Sequence, residues 1–149
     1  MKKVRDKSEL MVMKNEALQN KPDDHVDSHF KTFEWPDSLT RVQFEFDKYE
    51  ISEEAEVLLQ EIIHMLKDEE HLYVDIRGHT DSKGTNTYNM ILSEHRSQNV
   101  ARMLVENGIN PERLSITYFG EEKPLAANDD GQGRALNRRV EILFKVPID

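Results

Sequence analysis

The chain has 149 residues, of which 37% are hydrophobic and 33% charged, so it can bury one core of ordinary size under a heavily charged surface. Its net charge of −9 argues against general nucleic-acid binding and against docking on anionic lipid by charge alone, because both need a basic surface. It contains no cysteine, which excludes disulfides, thiolate metal ligands and a lipid-modified cysteine within this sequence.

The first forty residues show little regular pattern, and we expect residues 1–40 to form a partly ordered tail or linker before a domain at residues 41–149. No stretch reaches the ~18–20 apolar residues of a membrane span, and no apolar run of a secretory signal follows the basic first residues. We expect either that the protein has no such signal or that it has been removed. The aromatic residues Phe30, Phe33 and Trp35 would anchor the linker on the domain, with a partner surface as the alternative.

The first predicted strand begins at Arg41, where Val42, Phe44 and Phe46 alternate with polar residues up to position 47. Ser52 is the expected N-cap of a helix whose first turn is rich in glutamate. Apolar residues then recur at helical spacing and form one stripe: Ala55, Leu58, Leu59, Ile62 and Leu66.

Four further elements follow. Alternation predicts a second strand over residues 72–78, and after a glycine-containing turn a long helix runs to a stop at Asn107-Gly108. A third strand is predicted at 114–119, a long polar loop at 121–137 and a last strand at 138–146.

The predicted order is therefore β-α-β-α-β-β, an α+β fold in which helices pack on one face of a small mixed sheet. Each short strand–helix–strand unit is expected to make parallel neighbours with a right-handed crossover. The last strand, reached through a loop, makes the sheet mixed.

The turn after the second strand and the following helix carry the candidate site. Asp81 lies in the turn, while Asn89 and Arg96 are seven residues apart and so share one helix face with Ser93. Arg96 lies roughly 16 Å along the helix, so the turn has to fold back for Asp81 to approach it. Taken singly, Asp81 could equally be a turn or capping residue and Arg96 a surface residue.

The same segment offers residues for two other kinds of site. His79 and His95 could bind a metal with Asp81, but the ligand spacing of known metal motifs is missing. Ser93 and His95 lack the signature of an activated nucleophile. We therefore expect no metal, no cofactor and no enzymatic activity.

Several blocks of sequence resemble one family, the OmpA-like C-terminal domain, which is also found in the peptidoglycan-associated lipoprotein and in the stator protein MotB. The blocks are FEFDKYEIS, RGHTDSKGTNTYNMILSEHRSQNV, NGINPERLSITYFGEEKPLAAN and GRALNRRVEI, and they occur in the family's order between residues 42 and 144. The combination of three motifs, GHTD, YNxxLSxxR and GRxxNRRV, is highly specific. The fold implied by the resemblance agrees with the order of elements predicted above.

The resemblance implies non-covalent binding of peptidoglycan through the diaminopimelate residue of its stem peptide. Asp81 would pair with the ammonium of that residue and Arg96 with its carboxylate. The accessory positions carried over are Asn89, Asp47 and Arg138, and Thr80 and Leu92 from the same motifs complete the candidate site. The protein would then act in the periplasm of a Gram-negative envelope, bound to the wall or outer membrane. The alternative is an interaction module of an envelope assembly that binds other proteins, through residues 1–40 for example, with a homodimer left open.

Overall fold

The structure is a computed structural model that describes residues 29–33 and 41–148, and the side chains of residues 31–33 are outside the description. The strands in chain order are β1 (Phe30–Phe33), β2 (Arg41–Gln43), β3 (Tyr73–Gly78), β4 (Leu114–Tyr118) and β5 (Arg139–Pro147). The α-helices are α1 (Glu53–Asp68), α2 (Asn86–Glu106) and α3 (Gly131–Asn137), and a short 3₁₀ helix (Pro111–Arg113) precedes β4. Among the described residues, no helix has both the length and the apolar character that crossing a membrane requires.

The sheet is mixed, as predicted, with strand order β1-β5-β3-β4. β3 and β4 are parallel neighbours joined through α2, as expected for a strand–helix–strand unit. The first such unit was predicted wrongly, because β5 lies between β2 and β3 and is antiparallel to both. β3 occupies one edge of β5, so β1 and β2 must share the other edge, where Phe33 pairs with Phe144 and Val42 with Val140.

Both long helices cover one face of this sheet, as the sequence predicted. Ser52 caps α1 by accepting a hydrogen bond from the amide of Ala55 at 3.1 Å, and the predicted stripe of α1 faces the strands. Strand residues of one face meet helix residues in a single buried core. Its members include Val74, Ile76, Val140, Ile142 and Phe144 from the strands, and Leu59, Ile62, Val100 and Leu104 from the helices.

Two local predictions were wrong. The first strand ends at Gln43, opposite Arg139 where β5 begins, and one further backbone hydrogen bond joins the amide of Phe44 to the carbonyl of Arg138 at 2.9 Å. Phe46 is consequently 58% exposed instead of buried, and Asp47 turns the chain with φ = 58°. The polar loop at 121–137 contains α3, which Asp130 caps by accepting a hydrogen bond from the amide of Gly133 at 2.7 Å.

The predicted tail contributes β1 to the sheet. The ring of Phe30 packs edge-on against Tyr73 with centroids 5.1 Å apart, and the Lys145 ammonium lies 4.8 Å from its centre. Phe30 therefore rests on the domain, as expected for an anchor. The side chain of Phe33 and all of Trp35 lie outside the described residues, and the boundary between residues 40 and 41 stays a prediction.

Candidate functional site

A cavity of about 380 Å³ opens between the turn after β3, the first half of α2 and the segment after β2. It is lined by Phe46, Asp47, Thr80, Asp81, Lys83, Gly84, Tyr88, Asn89, Leu92, Arg96 and Arg138. All seven residues named from the sequence are among them, although they come from four separate parts of the chain.

The turn after β3 folds back along α2, which is the condition that the sequence set for Asp81 and Arg96 to meet. At Gly78 the strand lies so close to the middle of α2 that a Cβ there would be 2.1 Å from the carbonyl oxygen of Ser93. The chain then runs toward the N-terminus of α2: Arg96 donates to the carbonyl of His79 at 2.9 Å, and Asn89 donates to that of Lys83 at 3.0 Å. Asp81 therefore lies alongside the helix, between the levels of Asn89 and Arg96.

The Arg96 side chain is fully buried and holds two walls of the cavity together. Its Nε donates to the carbonyl oxygen of Lys48 at 2.8 Å and its Nη2 to that of Glu45 at 3.1 Å, in addition to the bond to His79. Hydrogen bonds within the described residues thus use three of its five N–H groups. Burial lowers the pKa of Arg96 to about 10, against the opposing effect of the Asp81 charge, so the guanidinium is charged at neutral pH.

Asp81 is 4% exposed and faces the same space. Its Oδ1 accepts the amide of Lys83 at 3.0 Å, and its Oδ2 lies 3.4 Å from Nη1 of Arg138, whose Nε donates to the carbonyl of Phe44 at 2.9 Å. Among the described residues Asp81 forms its ion pair with Arg138, and no ion pair within 4 Å joins it to Arg96. In the described part of the chain, the carboxylate and the buried guanidinium thus line one cavity without forming an ion pair with each other.

Asn89 and Thr80 hold the turn in shape. The Asn89 amide, 1% exposed, donates to the carbonyls of Asp81 and Lys83 and to the Glu121 carboxylate, and the Thr80 hydroxyl donates to the Asp81 carbonyl at 2.8 Å. Asn89 lines the cavity, but its N–H groups are engaged by the protein. It thus supports the turn that carries Asp81.

Tyr88 and Asp47 form one side of the mouth. The Tyr88 hydroxyl donates to the Asp47 carboxylate, and this hydrogen bond raises the pKa of Tyr88. Leu92, only 7% exposed, supplies an apolar patch of wall.

The cavity has the opposite charge to the chain. Its lining residues include three cations (Lys83, Arg96, Arg138) and two carboxylates (Asp47, Asp81), which gives 3 − 2 = +1, whereas the whole chain carries −9. A ligand with at least as many negative as positive charges suits such a site.

The sequence reading missed four lining residues: Phe46, Lys83, Gly84 and Tyr88. Lys83, Gly84 and Tyr88 lie within the same block as Asp81 and Asn89, so their position next to named residues was the available signal. Phe46 was missed for a different reason: its alternation with Phe44 predicted that it is buried in the sheet, whereas it lines the cavity.

The two histidines weighed as metal ligands point to different neighbours. The His79 ring stacks on Phe119 with centroids 5.2 Å apart, and its Nε2 lies 3.3 Å from the Glu141 carboxylate. His95 stacks on Tyr49 at 5.1 Å. In the described part of the chain, no three His, Asp or Glu side chains are grouped so that they could hold a metal ion.

One protein-family model matches most of the chain. The model of the OmpA family matches residues 43–138. The chain is 39% identical over 105 residues to the peptidoglycan-associated lipoprotein of Pseudomonas aeruginosa, covering 70% of this chain and 62% of that protein. It is also 39% identical over 101 residues to outer membrane porin F of the same organism, covering 67% of this chain and 29% of the porin. The chain thus spans less than two thirds of either relative.

Solved structures of similar proteins have the same fold. The peptidoglycan-associated lipoprotein of Burkholderia pseudomallei superposes with a TM-score of 0.68 at 32% identity, over 70% of this chain and 89% of that one. The C-terminal domain of MotB from Helicobacter pylori gives a TM-score of 0.65 at 27% identity, over 70% and 82% of the two chains.

Proposed function

The chain belongs to the OmpA family, and from this we propose that its cavity binds peptidoglycan without chemical conversion, so that an envelope protein or complex is held to the cell wall. The names of two relatives, a peptidoglycan-associated lipoprotein and an outer membrane porin, support this role and a periplasmic location. One observation carries the proposal. A buried carboxylate and a buried guanidinium, Asp81 and Arg96, line the same cavity, which is large enough for the end of an amino-acid side chain.

The proposed ligand group is the distal end of diaminopimelate, where one carbon carries both an ammonium and a carboxylate. The two N–H groups that Arg96 does not use within the described residues match the two oxygens of a carboxylate. Asp81 can accept further hydrogen bonds from the ammonium, because its contact with Arg138 is long and one amide occupies its other oxygen. Burial of both groups makes these contacts stronger than the same pairs on an exposed surface.

The same geometry should favour stem peptides that contain diaminopimelate over those that contain lysine. A stem peptide with lysine in place of diaminopimelate keeps the ammonium but lacks the distal carboxylate. Arg96 would then lose its partner in a desolvated site, which costs about 1–3 kcal/mol and weakens binding about 5- to 150-fold.

The experiment compares Asp81→Asn with a matched control, Asp75→Asn. Asp75 is also a buried carboxylate, 8% exposed, but it pairs with Arg77 on β3 and does not line the cavity. Calorimetry with a diaminopimelate tripeptide and co-sedimentation with purified peptidoglycan should show binding by the wild type and by Asp75→Asn. Asp81→Asn should bind about 10-fold more weakly or worse, because a charge-assisted hydrogen bond is lost.

Two outcomes would contradict the proposal. A wild-type protein that ignores both ligands has no such function. Undiminished binding by Asp81→Asn in a correctly folded variant would mean that the ligand does not use this cavity. The partner roles predicted for residues 1–40 and the homodimer stay predictions.

A further inference from the structure

Half of the large apolar side chains exposed on the described surface are gathered beside the cavity. Phe46, Tyr49, Tyr88 and Ile91 are 58%, 42%, 46% and 48% exposed, and the remaining four such side chains are Val57, Leu125, Leu136 and Ile148. In a chain with 33% charged residues, a local group of four uncharged, apolar side chains is a feature of the surface that calls for an explanation.

These side chains form a continuous strip, which we call the rim strip and define as Phe46, Tyr49, Tyr88, Ile91 and His95. Tyr88, Ile91 and His95 lie at spacings of three and four residues, so they occupy one face of α2. The Tyr49 ring stacks on His95 at 5.1 Å, and Phe46 and Tyr88 line the cavity. The strip therefore begins at the mouth and continues outward along the helix.

The strip is held in place by contacts on both sides. Asn99 donates to the carbonyl of Tyr49 at 2.8 Å, and the Tyr88 hydroxyl donates to Asp47. The pKa of Tyr88 is raised chiefly by that hydrogen bond and also by the nearby Tyr49 hydroxyl, which agrees with the two rings being neighbours. Because these contacts already hold Tyr49 and Tyr88 in place, a ligand that covers the two rings loses little additional entropy in ordering them.

We propose that the rim strip binds the glycan strand of peptidoglycan, so that the site recognises sugar as well as stem peptide. This inference rests on the proposed function. If diaminopimelate occupies the cavity, two residues and a lactyl group separate it from the muramic acid, a reach of about 10 Å. The sugar is then tethered next to the strip, where the apolar C–H face of a pyranose ring can lie on a tyrosine ring and its N-acetyl methyl group on Ile91.

A tethered sugar fits the strip better than a separate protein does. A stable protein interface uses about 20–30 residues on each side, far more than these five. A sugar that is already attached through the peptide has an effective concentration in the millimolar range, so a weak contact is sufficient.

The test measures two ligands by calorimetry: the free tripeptide L-Ala–D-Glu–diaminopimelate, and the same tripeptide on the disaccharide GlcNAc–MurNAc. The wild type should bind the disaccharide form about 2- to 12-fold more tightly, the range expected for one stacked contact. Tyr49→Ala and Ile91→Ser should remove this gain while leaving the affinity for the free tripeptide unchanged, since neither residue lines the cavity. Tyr49→Phe, which keeps the ring, should retain the gain.

Val57→Ser is the matched control, because Val57 is an exposed aliphatic residue on α1, 65% exposed and outside the strip, and it should leave the gain intact. Equal affinity of the wild type for the two ligands, or a gain that survives both Tyr49→Ala and Ile91→Ser, overturns the inference alone. A wild type that fails to bind the free tripeptide refutes the proposed function, and the inference falls with it.

Discussion

Replacing Arg96 by lysine tests whether this one side chain both holds the walls of the cavity together and binds the ligand. The guanidinium donates to the carbonyls of Glu45, Lys48 and His79, and so joins the segment after β2 to the end of β3. A lysine keeps the charge but concentrates its donors on one atom, so it cannot reach all three carbonyls from the same helix position. Losing two hydrogen bonds to a charged donor, at about 1.5–3 kcal/mol each, should lower the free energy of unfolding by about 3–6 kcal/mol.

Urea denaturation followed by circular dichroism measures this loss, and the tripeptide titration on the folded fraction measures binding. The control is Arg102→Lys, because Arg102 is an exposed residue on the same helix and its replacement should change stability by less than about 0.5 kcal/mol. A loss below about 1 kcal/mol for Arg96→Lys would refute the reasoning, since the three carbonyls would then not depend on the guanidinium. Full stability combined with full affinity would remove Arg96 from both roles.

Three further changes have definite expected outcomes. Burial holds the pKa of His79 below its ordinary 6.5. Burial alone would raise the pKa of Glu141, but its contacts with His79 and Arg139 outweigh this and lower that pKa to about 2. In acid the unfolded chain therefore binds more protons than the folded chain. The free energy of unfolding, measured in urea, should fall below about pH 7 because of His79, and again from about pH 5 toward 2 because of Glu141. The variant His79→Gln should flatten the first fall. Gly133→Ala should lower Tm by several degrees, because a Cβ there would lie 1.8 Å from a carbonyl oxygen, whereas Gly131→Ala, with 3.9 Å of clearance, should not. Removing the first 40 residues deletes β1 and should lower Tm more than removing the first 28, which keeps it.

The sequence predicted the parts of the fold that depend on local periodicity. The apolar stripe of α1, its Ser52 cap and the alternation in β3 and β5 are patterns within one element, and each determines which face of that element is buried. The position of β5 between β2 and β3 was not predictable in this way, because it depends on pairing between residues about one hundred positions apart. For the same reason the alternation from Val42 to Phe46 gave no sign that the partner strand ends beside Gln43.

The missed helix α3 has a different cause. Gly131 and Gly133 are poor helix formers, so propensity favours a loop there. In the structure, Gly133 packs against the carbonyl of Ala127 where any side chain would collide, and Asp130 caps the turn. A close approach that only glycine permits thus accompanies the helix despite the local preference, and a single sequence does not reveal such an approach.

The separation between Asp81 and Arg96 shows how the candidate site depends on the strand–helix crossing. Arg96 lies roughly 16 Å along the helix from its start, so the two could share a site only if the turn folded back. The contact of Gly78 with Ser93 places the end of β3 beside the middle of α2, so the turn has to run back past Arg96 before it can enter the helix. The cavity exists because the strand ends there. Gly78 and the turn that follows β3 therefore determine the position of the site as much as Asp81 and Arg96 do.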